Sequence, residues 1–346
     1  MGNVENNNEL TYKKPSFIKK YSPLFKYIIK RLLLIIPVIL VISLIIFTLI
    51  EAMPGDPLNA FLNPEKLTGS PEEVLQKRAH FTKVLGLNDP FFIRFIRWWG
   101  HLLKGELGYS VIKNKPVKDF IGSHFMNSFK VNIFAFIFAF ALSIYIGIKS
   151  SVKRNSFFDK FWTVFSIAGI SLPSFFMAML LIFLFSITLR WLPISGMKDP
   201  MNIRPTFQYY ILPILVVMLA SMASLIKYVR NSMLEVLKQD YIRTARAKGL
   251  GEKVVIYRHA FKNALIPIIT LLGFYIPSLF AGSIIVENIF VWPGIGSLMR
   301  QAYDFKDRSV LIVTLIFFAF LTLIGNLLQD IGYALADPRI REGGKK

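Results

Sequence analysis

Six stretches of this chain carry no Asp, Glu, Lys, Arg or His, and each is long enough to enter a lipid bilayer as a helix. They are 32–50, 131–148, 161–189, 209–226, 264–286 and 309–329. A bilayer core takes roughly 20 apolar residues per helical span, so the spacing predicts an all-α integral membrane protein with six transmembrane helices. The composition agrees: 54% of the residues are hydrophobic, against about 45–50% in an ordinary soluble domain. The third run is longer than a vertical span needs and contains Ser171-Leu172-Pro173-Ser174. A proline inside a span removes a backbone hydrogen bond and kinks the helix.

The net charge of +20 fits either a nucleic acid or an anionic membrane surface. Its distribution decides between them. Segments 1–31, 149–160, 227–263 and 330–346 hold 24 Lys and Arg, whereas 190–208 and 287–308 hold six. The basic excess marks the cytoplasmic side. Both termini are therefore expected there, with 51–129 outside. That segment holds ten basic residues, but the rule weakens beyond about 60 residues. Most of the charge is accounted for by orientation and lipid head groups, and no basic-aromatic module calls for nucleic acid. The first apolar run exceeds a signal-peptide core and no A-x-A site follows, so it reads as a retained span.

Two helices fit into 51–129. Ser70-Pro71-Glu72-Glu73 has the form of a capping box, with Gly86 ending that helix. Asp89-Pro90 opens the second and Gly105 ends it. In the second, Phe91, Phe92, Phe95, Ile96, Trp99, Leu102 and Leu103 form an apolar side opposite Arg94, Arg97, His101 and Lys104. Such a helix suits either the membrane interface, with Trp98 and Trp99 at head-group level, or packing against the spans.

Ion-coupled carriers place ionisable groups near the midplane, and these runs have none. Their polar residues include Ser171, Ser221, Ser224, Ser278, Ser283 and Asn326. Each suits helix packing; together they are candidates to line a pathway that passes a solute without gripping it. There is no G-x-x-x-x-G-K-[ST] phosphate cradle and no cysteine. The four histidines lack metal-ligand spacing. Trp292-Pro293-Gly294-Ile295-Gly296 reads as a turn. No catalytic residue, bound cofactor or metal is expected.

The polar loop 227–263 is the most informative segment. Asp240, Tyr241, Ile242, Arg243, Thr244, Ala245, Arg246, Ala247, Lys248, Gly249 and Leu250 follow in sequence. Asp240 suits an N-cap and Gly249 a C′ residue. Between them lies a short helix whose small residues, Thr244, Ala245 and Ala247, suit entry into a partner's groove. The alternative is a basic helix on the inner leaflet.

From Asp240 to Thr270 the sequence closely resembles the coupling loop of dipeptide/oligopeptide/nickel-type ABC importer permeases. Arg243-Thr244-Ala245 stands where the general pattern has E-A-A, and Gly249 where it has glycine. His259-Ala260-Phe261-Lys262 replaces I-x-L-P, as is typical of the peptide branch. Further similarity lies in Met53-Pro54-Gly55-Asp56-Pro57, Leu107-Gly108-Tyr109-Ser110, Trp191-Leu192-Pro193, Val291-Trp292-Pro293-Gly294 and Ala336-Asp337-Pro338-Arg339-Ile340. The insert after the first span resembles the "B" member of the permease pair. The resemblance implies a type I importer bundle: a first helix at 26–50, an external segment at 51–129 and a five-helix core at 130–341 with the coupling loop at 227–263; residues 1–25, Asn- and Lys-rich and outside the resemblance, read as a disordered tail. It also implies a prokaryotic inner-membrane location. The implied partners are a second permease subunit, two ABC ATPase subunits that bind ATP and magnesium, and an extracytoplasmic solute-binding protein. Residues 240–250 would be the ATPase-coupling element, and peptides the solute, with oligosaccharides or nickel chelates carried by the same machinery as the alternative and a secondary transporter as a remote one.

Overall fold

The computed structural model describes residues 17–54, 88–199, 201 and 205–336, with single positions at 72, 73, 75, 76, 79 and 82. The proposed capping box at Ser70 and the Gly55-Asp56-Pro57 and Asp337–Ile340 motifs lie outside them. The fold is helical, as the apolar runs require. Helix α1 spans Phe17–Glu51, α2 Phe91–Leu103 and α3 Ile121–Val152. Between α2 and α3, strands β1 (Tyr109–Ser110) and β2 (Lys115–Pro116) form a small antiparallel hairpin, with Tyr109 opposite Pro116. Helix α4 is Phe157–Ser171 and α5 is Ser174–Ile182, which continues as a π-helical turn through Phe183–Thr188. Helix α6 is Phe207–Val236 and α7 is Asp240–Ala247. A turn at Glu252–Val254 and a π-helical stretch at Val255–Phe261 lead into α8, Lys262–Ala281. The chain closes with α9 (Ile284–Ile289), α10 (Ile295–Asp304) and α11 (Arg308–Ala336).

Helix α1 begins at Phe17, inside the segment read from sequence as a disordered tail. Among the described residues, four helical segments are long and apolar enough to cross a membrane: Ile28–Glu51, Ile121–Val152, Phe207–Val236 and Arg308–Gly332. The run 161–189 is broken, because α4 and the α5 segment meet at 109° across Leu172-Pro173. If that bent pair is one span, the number is five. The run 264–286 is not one helix either. Pro267 and Pro277 lie within α8, and Gly282, at φ +62°, separates it from α9.

The helices stand side by side in the order α1, α11, α8, α3, α6, α4. Small residues set the closest crossings, as expected where lipid offers no hydrophobic drive for association. A Cβ on Gly147 would lie 2.7 Å from the Val229 side chain, which fixes how closely α3 approaches α6. Gly273 and Gly325 do the same for α8 and α11. Polar side chains meet the carbonyls near the breaks in α8. Asn132 of α3 donates to the carbonyls of Ser278 and Leu279 at 3.2 and 3.0 Å, and Tyr228 donates to that of Pro267 at 3.1 Å. Irregular backbone inside a bundle needs such partners.

Candidate functional site: the α7 helix and the open face of the bundle

Helix α7 joins α6 to the π-helical stretch before α8. Asp240 is its first residue and not its cap; Gln239 occupies the cap position without a side-chain bond. An acid in the first turn still complements the helix dipole. Gly249 adopts φ +77°, as expected of a residue leaving a helix through the left-handed region.

The faces of α7 divide sharply. Ile242 is fully buried and Ala245 is 6% exposed. Both pack into a cluster with Ile148 of α3, Val229 and Met233 of α6, and Val255, Ile256 and Ala260 of the π-helical stretch. Ala245 is therefore small because of its own bundle, not because of a partner's groove. Tyr241, Arg243, Thr244, Arg246, Ala247, Lys248 and Leu250 face outward. Arg246 makes a two-pronged ion pair with Glu252, with Nη2 to Oε1 at 2.7 Å and Nε to Oε2 at 3.1 Å. This pairing holds the Glu252 carboxyl below the usual carboxylate range and raises Arg246. Arg243 stands 3.6 Å from Asp240. Val254 and Tyr257 add exposed apolar surface just beyond the helix. Sequence reading did not single them out, since a π-helical stretch has no distinct sequence period.

At the same end of the bundle, Arg230 of α6 grips Asp159 of α4, with Nε to Oδ1 at 2.6 Å and Nη2 to Oδ2 at 2.9 Å. Asp159 also accepts from the Asn155 backbone N–H at 2.9 Å, while its own N–H donates to the Ser156 hydroxyl at 3.2 Å, which caps α4. Helix α7 thus follows a helix that is tied to its neighbour by a bidentate ion pair.

The candidate pathway residues separate into groups. Ser224 and Ser278 are exposed and gather round Tyr275 of α8. Ser278 donates to the Tyr275 carbonyl at 2.6 Å, and the Ser224 side chain lies near the Tyr275 hydroxyl. Ser224 also donates to the Ser221 carbonyl at 3.0 Å. Ser171 is exposed at the end of α4, where its hydroxyl donates to the Ile167 carbonyl at 2.9 Å. Ser283 instead caps α9, accepting from the Val286 N–H at 3.3 Å. Asn326 is exposed on α11, next to the Gly325 crossing with α8.

One residue that sequence reading passed over organises the turn beyond α8. Glu287 of α9 is 5% exposed. Its carboxylate accepts from the Ser128 hydroxyl at 2.6 Å and from the Ser297 N–H at 2.9 Å. That amide lies in the first turn of α10, whose N-terminus favours an anion. A Cβ on Gly282, Gly294 or Gly296 would crowd the same carboxylate. Ser128 also accepts from Ile295 N–H at 2.8 Å, and Asn127 and Trp292 tie α3 to the turn. Trp292, Pro293 and Gly294 thus form the turn, while Ile295 and Gly296 already open α10. The signal for Glu287 was present as an acid at the end of an apolar run, followed by closely spaced glycines.

Comparison with known proteins agrees with this architecture. Residues 139–342 match the family described as "Binding-protein-dependent transport system inner membrane component", and residues 24–134 match its N-terminal counterpart. The chain is similar to the oligopeptide transport system permease protein AppB of Bacillus subtilis (strain 168). They are 37% identical over 318 residues, which is 91% of this chain and 98% of that protein. It is likewise similar to the glutathione transport system permease protein GsiC of Salmonella typhimurium (strain LT2) and of Escherichia coli O6:H1. Each is 35% identical, over 92% of this chain and 99% of the relative. With most of its length matched in these ways, the chain belongs to the family of inner membrane components of binding-protein-dependent transport systems.

Proposed function

We propose that the chain is one of two permease subunits of an ATP-driven importer of peptides, and that α7 is its coupling helix. The names of its relatives support the peptide class. A second permease subunit, two ATPase subunits that bind ATP and magnesium, and an extracytoplasmic solute-binding protein complete the machine. The chain itself performs no chemistry; it supplies half the pathway, six spans and one coupling element. Ser171, Ser221, Ser224 and Ser278 would line the pathway once the second subunit covers that face.

The observation that carries the reading is the two-sided character of α7. Its inner face is locked into the core by Ile242 and Ala245, and its outer face is open. A force applied at Tyr241, Thr244 or Ala247 passes directly into α6 and the start of α8, because packed interiors are stiff.

The test uses Thr244→Trp and Ala247→Trp in the co-expressed transporter, with pull-down of the ATPase subunits and solute uptake read in the same membranes. A bulky group at a close interface costs about 1–3 kcal/mol, or roughly 5- to 150-fold in docking. Both variants are expected to insert and fold, yet to lose ATPase capture and uptake. Full docking and full uptake in both would sink the assignment and favour binding of this loop to the inner leaflet.

We infer from the 24-to-six basic count that both termini and 227–263 are cytoplasmic and that 51–129 faces outward. A reporter active only in the cytoplasm should be silent when fused near Asn88 and active at Lys346. Activity at Asn88 would reverse the topology.

A further inference from the structure

The sequence presents α2 as a two-sided helix, but the structure gives it three sides. At 100° per residue, Phe91, Phe95, Trp98 and Leu102 share one direction. These four pack against the core formed by Phe47, Phe120 and the start of α11. The rings of Phe91, Phe95 and Trp98 lie 5.5, 5.5 and 5.9 Å from that of Phe47. About 110° round the helix, Phe92, Ile96 and Leu103 form a second stripe, exposed at 66%, 68% and 79%. About 140° further round lies the charged side of Arg94, Arg97 and His101. Its charges are paired: Arg94 with Glu51, Arg97 with Asp89 and His101 with Glu106.

Two roughly opposed faces, one apolar and one charged, with a protein-packing face between them, describe a helix docked sideways on a bundle at a membrane surface. We propose that the Phe92–Ile96–Leu103 stripe of α2 is immersed in the acyl chains of the leaflet that holds the Glu51 end of α1.

Depth supports this occupant. Phe47, the residue around which α2 packs, precedes Glu51 by four residues. At 1.5 Å per residue that is about 6 Å below the first charge after the span. Interfacial helices bury their apolar face by about 5–10 Å. The Trp99 ring N–H reaches further in, donating to the Ser43 hydroxyl at 3.0 Å. On its side away from Phe47, α1 exposes Val41, Ile45 and Leu49 at comparable depth, as a lipid-facing span does. Water at that depth would face some of the largest apolar side chains on the chain, with no charged group among them. The inference requires only that α1 crosses the bilayer, and it stands whether or not the chain imports peptides.

The absence of cysteine makes the test clean, since a single introduced cysteine carries no background label. Phe92→Cys, Ile96→Cys and Leu103→Cys are spin-labelled alongside Arg97→Cys and His101→Cys. The subunit is studied alone and in the complete transporter, in vesicles of phosphatidylethanolamine and phosphatidylglycerol. At the first three positions, collision with oxygen should exceed collision with a water-soluble nickel chelate several-fold; at the last two the order should reverse. If one stripe variant fails to accumulate, the remaining stripe positions carry the test. Frequent nickel collisions along the stripe would place it in water and overturn the proposal. Loss of both collisions in the complete transporter, but not in the isolated subunit, would overturn it in favour of a partner subunit.

Discussion

Ala245→Trp is expected to destabilise the subunit itself, lowering its melting temperature in detergent by roughly 5–10 °C and removing uptake with it. The residue is 6% exposed and belongs to a buried cluster with Val229, Met233, Val255, Ile256 and Ala260. Inserting a few methylenes into a packed core costs about 1–3 kcal/mol, occasionally more, and an indole is at the upper end. Helix α7 would be lifted from the bundle. Ala247, two positions on, faces outward, so Ala247→Trp should melt like the unsubstituted chain and lose only docking. The two variants differ by half a helical turn and should fail in different ways. Fluorescence-detected gel filtration after heating reads the first effect, and pull-down reads the second. An Ala245→Trp subunit with unchanged melting and full uptake would show that α7 does not rest on this face.

Glu287→Ala should be at least as damaging. It removes the acceptor for the Ser128 hydroxyl and for the Ser297 N–H, both in a buried site. A buried donor left unsatisfied costs about 1–3 kcal/mol. Two at once reach or exceed the usual effect of a single substitution, which is about 0.5–3 kcal/mol. The expected result is a subunit that fails to accumulate in the membrane. Glu287→Gln keeps one acceptor oxygen but turns an amide NH₂ toward other donors, so it should accumulate at an intermediate level. Gly294→Ala should resemble Glu287→Ala, because its Cβ would enter the space of the carboxylate. Accumulation and melting of Glu287→Ala equal to those of the unsubstituted chain would show that the α9–α10 turn holds without the carboxylate.

These two residues show where reading the chain alone stops. From the sequence, the small Ala245 suits entry into a partner's groove; in the structure it is buried against its own bundle. A small residue is equally consistent with a close partner and with a close neighbour in the same chain. Only the placement of α6 and the π-helical stretch distinguishes them. Glu287 was passed over because its role depends on Ser128, which lies 159 residues earlier. Likewise Arg230 and Asp159, 71 residues apart, carry no mutual signal in the sequence. Asp240 shows the local limit: a residue that suits an N-cap can also serve one position later, as a first-turn acid.

What the sequence determined by itself was the class of fold and the family. Long runs without charge exclude exposed polar backbone and impose helices, and this holds whatever the runs pack against. The positive φ of Gly249 and the break at Pro173 were legible for the same reason, since each follows from one residue's own covalent geometry. The tertiary structure decided which face of each helix is inward. It split the apolar side of α2 into a core stripe around Phe47 and an exposed stripe at Phe92, Ile96 and Leu103. It turned Ala245 inward and Thr244 outward, and it broke 264–286 at Gly282. In a membrane the side facing lipid and the side facing protein are equally apolar. Periodicity cannot separate them, and only contact with a particular neighbour does.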